Sequence, residues 1–103
     1  MSDPLVIDEA HTLPAAELSW TAVRSGGPGG QNVNKVASKV ELRFDLGHTR
    51  ALDLETRTRL AAIAGTRVDS EGILLVRSQK TRDQLKNLED ARAKLRELVV
   101  RAL

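Results

Sequence analysis

Cysteine is absent from this chain of 103 residues, and tryptophan and phenylalanine occur once each, as Trp20 and Phe44. Without thiols there are no disulfide staples and no thiolate metal ligands, a usage that suits a reducing compartment. Trp20 falls in an alternating stretch and reads as core packing, not as a platform for base stacking. No run approaches the eighteen apolar residues of a membrane span, and Met1-Ser2-Asp3-Pro4 carries an acid where a secretory signal is basic. A cytoplasmic location with no membrane partner is therefore expected. Histidine is also scarce: His11 lies in an acidic segment and His48 in the turn Gly47-His48-Thr49-Arg50, too far apart for a local ligand motif, and both read as solvated surface residues. With no paired carboxylates near the glycine-rich run described next, a conventional triad is excluded, and no metal and no cofactor are expected.

What the chain does have is the run Arg24-Ser25-Gly26-Gly27-Pro28-Gly29-Gly30-Gln31-Asn32-Val33-Asn34-Lys35. Four glycines around one proline allow positive φ and close approach of the backbone to a partner. The nucleotide-loop patterns fail on spacing: no glycine-lysine-serine or glycine-lysine-threonine ending is present, and Asn32 stands where a dinucleotide fingerprint needs a third glycine. The formal charge of +2 is small but segregated. Residues 1–17 hold Asp3, Asp8, Glu9 and Glu17 with no lysine or arginine, whereas Arg24, Lys35, Lys39 and Arg43 surround the run against a single Glu41. Such a patch attracts phosphate backbones.

The length bounds one domain burying roughly two-thirds of its unfolded surface. Residues 1–17 read as an N-terminal arm with a short extended piece at Leu5-Val6-Ile7, and residues 18–103 as the single folded domain. Leu18–Val23 and Lys39–Phe44 read as strands flanking the glycine loop, the second placing Val40, Leu42 and Phe44 on one face. Asp53 can cap a helix with Leu60, Ile63 and Ala64 on one stripe, which Gly65 stops. Ile73-Leu74-Leu75-Val76 reads as a strand buried on both faces. Thr81-Arg82-Asp83-Gln84 has capping-box form, and Leu85, Leu88, Leu95, Leu98 and Ala102 then recur at helical spacing. The expected fold class is α+β: a small, mostly antiparallel sheet of three to four strands packed by two helices, in the order strand, loop, strand, helix, strand, helix.

Gln31 is the remaining candidate for chemistry. Its amide has no useful pKa and cannot act as a general base, but it can orient an attacking water while backbone N–H groups of the glycine run face a developing oxyanion. Ester hydrolysis suits such a site, provided the substrate or a larger assembly completes it.

Gly29-Gly30-Gln31 in its frame from Arg24 to Lys35 resembles the signature of the peptide-release-factor catalytic domain, the GGQ motif. The resemblance covers roughly residues 13–103 and is nearest to the codon-independent branch, the alternative ribosome-rescue factor B type and its mitochondrial relatives, with the helix from Asp53 to Ala64 between the second and third strands. Thr81-Arg82-Asp83-Gln84-Leu85-Lys86-Asn87 is similar to that family's arginine, serine, glutamine, two residues, asparagine segment, with Asp83 in place of the serine. The resemblance implies ribosome-dependent hydrolysis of the peptidyl-tRNA ester in the peptidyl-transferase centre, with the ribosome and peptidyl-tRNA as partners and the chain acting as a monomer. It makes Gly29, Gly30 and Gln31 catalytic, and makes Arg24, Asn32, Asn34, Lys35, Arg82, Gln84 and Asn87 candidates for holding ribosomal RNA or the tRNA acceptor end. Rescue factors of this type continue into a Lys/Arg-rich tail, whereas this sequence stops at Arg101-Ala102-Leu103, so a truncated catalytic domain is expected. The alternative is a noncatalytic ribosome- or RNA-binding module, in which the same residues form only a docking surface.

Overall fold

The computed structural model describes residues 3–24 and 38–103. Alternating apolar residues build an antiparallel sheet from β3 (Leu18–Val23), β4 (Lys39–Asp45) and β5 (Ile73–Ser78), in the order β3-β4-β5. β1 (Leu5–Val6) pairs with β2 (Thr12–Leu13) in a separate two-stranded antiparallel ribbon. Two helices, α1 (Leu54–Ala64) and α2 (Gln84–Ala102), complete the α+β architecture.

Period-two burial is clean on β4, where Val40, Leu42 and Phe44 are fully buried, and Trp20 of β3 packs beside them opposite Leu42. The same register governs β5: Leu74 and Val76 are buried, Leu75 is half-buried and Arg77 is exposed. The expectation of a strand buried on both faces is corrected accordingly. The helices cover one face of this antiparallel sheet only, so the other face needs no apolar side chains. That open face carries Glu41, which accepts from Arg43 at 3.2 Å and from Arg77 at 3.0 Å.

α2 lies against β4 and β5, and α1 packs on α2. The buried stripe of α2 is Ala91, Leu95, Leu98, Val99 and Ala102, with Leu88 half-buried. Leu85, expected on that stripe, is 63% exposed because it lies in the first turn, beyond the edge of the sheet contact. Leu60 and Ala64 of α1 complete the contact, as their spacing predicts. Among the described residues no helix is long and apolar enough to cross a membrane.

The segment read as an N-terminal arm places Leu5, Ile7 and Leu13 in the core. α2 holds it through main-chain carbonyls: Arg92 donates to Asp3 and Pro4, and Arg96 donates to Ile7 at 2.9 Å. Farther along, Glu17 accepts from the Thr49 hydroxyl and from the Arg50 N–H, tying the start of β3 to the turn after β4.

Both helix starts are capped by aspartate. Asp53 accepts from the Thr56 N–H at 2.8 Å and Asp83 from the Lys86 N–H at 3.1 Å. The capping box expected from Thr81 is therefore shifted, with Asp83 as the capping residue. Arg59 donates to the Ala102 carbonyl at 2.6 Å, placing a cation at the C-terminal end of α2 where the helix dipole favours one. Gly72, at φ 81°, lies against Gly47, whose N–H donates to its carbonyl at 3.0 Å.

A Cβ on Gly72 would fall 2.9 Å from the Gly47 Cα, in a left-handed conformation that side chains disfavour. Gly72→Ala is expected to destabilise the fold by about 2–4 kcal/mol, from left-handed strain together with overpacking, as read by urea unfolding. Stability is also expected to fall in acid. The Thr56 N–H and hydroxyl hold the Asp53 carboxyl below its ordinary value, and the Ser78 hydroxyl followed by Lys94 does the same for Asp90. A depressed carboxyl contributes stability that is complete above its unfolded pKa and is lost as pH falls through the folded one. The unfolding midpoint should hold between about pH 7 and 5 and drop below about pH 4, and Asp53→Asn, which keeps a cap but cannot ionise, should make that drop shallower.

Candidate active site

The glycine-rich run leaves and re-enters the sheet on one rung, because Val23, the last residue of β3, is paired with Lys39, the first of β4. Gly29, Gly30, Gln31, Asn32, Asn34 and Lys35 lie outside the described residues. The described part of the site is the root of that loop. Arg24 stands exposed at its upstream end and Ser38 is buried at its downstream end. β5 finishes beside the same end, with Ser78 opposite Val40, and the connection from Gln79 to Asp83 leads straight into α2. The sheet thus brings the two roots of the glycine-rich run and the start of α2 to one edge of the molecule, although Ser38 and Asn87 are 49 residues apart in sequence.

Asn87 joins them. It is fully buried, and its amide is saturated: Oδ1 accepts from the Thr81 N–H at 2.9 Å and the Thr81 hydroxyl at 3.0 Å, while Nδ2 donates to the Ser38 and Thr81 carbonyls, both at 2.8 Å. The expectation that Asn87 faces RNA is corrected. A side chain with no exposed surface and no free donor or acceptor cannot contact a ligand, and this one positions the loop root instead. Asparagine is a poor helix former, so its place in the first turns of α2 makes sense only through these tertiary bonds.

The other candidates divide by exposure. Arg82 is exposed and available to a partner, and Gln84 is half-buried. Asp83, standing where the resembling segment has serine, does what serine also does well, accepting a hydrogen bond from the backbone at a helix start. The Thr81 hydroxyl accepts from the Asp83 N–H at 3.0 Å, which locks the turn before the cap. A half-buried bond, from Ser78 Oγ to Asp90 Oδ2 at 2.7 Å, fixes the end of β5 to α2, and Lys94 pairs with the same carboxylate at 3.1 Å. Sequence reasoning gave no role to Ser38, Ser78 or Asp90, and read Thr81 only as the start of a capping box and of the segment that runs to Asn87. His11 and His48 sit away from the root, each with its Nδ1 beside a nearby aspartate, Asp8 or Asp45. Among the described residues no cluster of histidine and carboxylates could hold a metal ion.

Residues 7–102 match the RF-1 domain model. The chain belongs to the RF-1 domain family. It is 42% identical over 98 residues to a protein named peptidyl-tRNA hydrolase ArfB of Pseudomonas putida, spanning 95% of this chain and 71% of that protein. With the large ribosomal subunit protein mL62 of Mus musculus it shares 37% identity over 90 residues, 87% of this chain and 44% of that one. With peptide chain release factor 1 of Bacteroides fragilis the figures are 40% over 83 residues, 81% and 18%. The matched stretch is therefore most of this chain but under half of the mouse protein and under a fifth of the release factor.

Within this RF-1 domain, Asn87→Ala leaves the Ser38 and Thr81 carbonyls and the Thr81 N–H without the amide, and a loss of about 3 kcal/mol is expected from desolvated groups left unpaired. Arg82→Ala, at an exposed position, is expected to stay within about 0.5 kcal/mol of the parent. Urea unfolding of the two variants side by side checks both.

Proposed function

We propose that this RF-1 domain hydrolyses the ester between nascent peptide and tRNA on the ribosome, releasing chains from stalled complexes, and does so as a cytoplasmic monomer. The reading is supported by the paired rung of Val23 and Lys39, braced by Asn87, that flanks the sequence Gly29-Gly30-Gln31, in a chain 42% identical to a protein named as a peptidyl-tRNA hydrolase.

The chemistry follows from the residue types. The Gln31 amide holds a water against the ester carbonyl, and the water oxygen attacks the carbonyl carbon. Backbone N–H groups around Gly30 and Gln31 face the oxyanion as it forms. The bond to the ribose oxygen then breaks, one proton of the water passes to that oxygen and the other leaves to solvent, and the products are a peptide carboxylate and a tRNA hydroxyl. No side chain of this domain needs to act as a base, because ribosomal RNA and the substrate supply the remaining walls of the site. Gly29 and Gly30 shape the loop, while Arg24, Asn32, Asn34, Lys35, Arg82 and Gln84 hold RNA backbone around it.

Peptide release from ribosomes carrying peptidyl-tRNA tests this reading. Gly30→Ala and Gln31→Ala are each expected to slow release by about a hundredfold or more, the usual scale for losing an oxyanion donor or misplacing a nucleophile. Their unfolding midpoints should match the parent. Release by all variants at the parental rate overturns the assignment of these residues, and ribosome binding by a parent that never releases peptide supports the noncatalytic alternative.

A further inference from the structure

β5 is an edge strand, and its outer side is paired only near its start, where Val68 bridges Leu74 and the Asp69 N–H donates to the Ile73 carbonyl. Among the described residues no strand covers it from Leu75 to Ser78. α2 runs alongside, and between them lie two adjoining clefts that share Arg77 and Lys94 as lining residues. One is floored by Leu75, Val76 and Leu98. The other reaches Lys39, the first residue of β4 after the GGQ loop.

The charge of this trough is lopsided. Lys39, Arg67, Arg77, Lys80, Lys94 and Arg101 line it against Asp90 and Glu97, a surplus of four positive charges on a chain whose formal net charge is only +2. Lys94 is occupied by Asp90 and by the Arg77 carbonyl at 3.2 Å, and Arg77 by Glu41. Lys39, Arg67 and Arg101 take part in no ion pair among the described residues, and Lys80 stands in the field of Asp90. Four of the fourteen acids, Asp3, Asp8, Glu9 and Glu17, lie in the first seventeen residues and none of these four lines the trough.

We infer that this trough is a docking surface for the phosphate backbone of ribosomal RNA, a second point of attachment that runs from the loop root along β5 to the end of α2. The inference rests on the ribosomal reading above. A partner protein strand pairing with the open edge is the competing occupant. The lysine lying across that edge on the Arg77 carbonyl blocks such pairing, and rows of unpaired cations favour a polyanion. The spread of the cations along strand and helix suits contact with successive phosphates and carries no base readout.

Full-length protein with Arg67→Gln, Lys80→Gln and Arg101→Gln combined is compared with the parent in binding to ribosomes carrying peptidyl-tRNA across a series of KCl concentrations. None of the three belongs to the catalytic set. The slope of log affinity against log salt is expected to shrink by about 2, as three lost contacts at about 0.7 each require, with affinity down about tenfold or more at low salt. Release at saturating protein should stay within about twofold of the parent, and hydroxyl-radical probing should show a protected stretch of ribosomal RNA backbone opened by the triple variant. Arg50→Gln, at the far end of β4, is expected to leave the slope alone. A parental slope and footprint in the triple variant overturn the proposal. So does a loss of affinity with the RNA protection intact, which assigns the trough to a protein partner, and so does an equal slope change from Arg50→Gln. Absence of peptide release by the parent counts against the functional reading alone, since the salt slope and footprint still report on the trough.

Discussion

The Asn87 amide stands where three stretches of chain converge: the downstream end of the GGQ loop at Ser38, the turn after β5 at Thr81, and the first turns of α2. Four hydrogen bonds at 2.8 to 3.0 Å exhaust its donors and acceptors inside a fully buried pocket. In such surroundings a lost bond is not replaced by water, so the geometry of the loop root is held by the cost of leaving these groups unmade. The rung between Val23 and Lys39 sets where the loop leaves the sheet, and Asn87 sets how that exit lies against the helix.

α2 serves as the spine to which the rest attaches. Its apolar stripe buries the sheet face, Asp90 holds the end of β5 through Ser78, and Arg92 and Arg96 hold the carbonyls of the N-terminal segment. Its C-terminal carbonyl is in turn capped by Arg59 from α1. Polar side chains thus do much of the positioning around a core made almost wholly of aliphatic residues with one phenylalanine. The division of labour follows from directionality. Aliphatic burial is strong but tolerant of small shifts, whereas hydrogen bonds to main-chain carbonyls specify distance and angle.

Charge is distributed with comparable economy. The first seventeen residues carry four carboxylates and no lysine or arginine, while β5 and α2 carry the basic trough, so a modest net charge conceals local segregation. The centre of the run, Gly29-Gly30-Gln31, holds no ionisable group and can offer little beyond positioning, and the proposed seating in RNA gains from attachment away from it. The trough and the loop root share Lys39, which places both on one continuous surface.

By itself the sequence determined the elements and the motif. Alternation at Val40, Leu42 and Phe44, the aspartate before α1, and the GGQ run flanked by strands are local patterns, and local patterns report local geometry. Asp83 as cap, the exposure of Leu85 and the single buried face of β5 depended instead on where α2 ends its contact with the sheet. The fate of Asn87 is the sharpest case. Its neighbours in sequence are Lys86 and Leu88, which say nothing of Ser38, and the same amide on an uncovered helix face would be a plausible RNA contact. Only the packing of α2 across the end of β5 brought it against carbonyls from two other segments, because burial is a property of neighbours that sequence separation does not record.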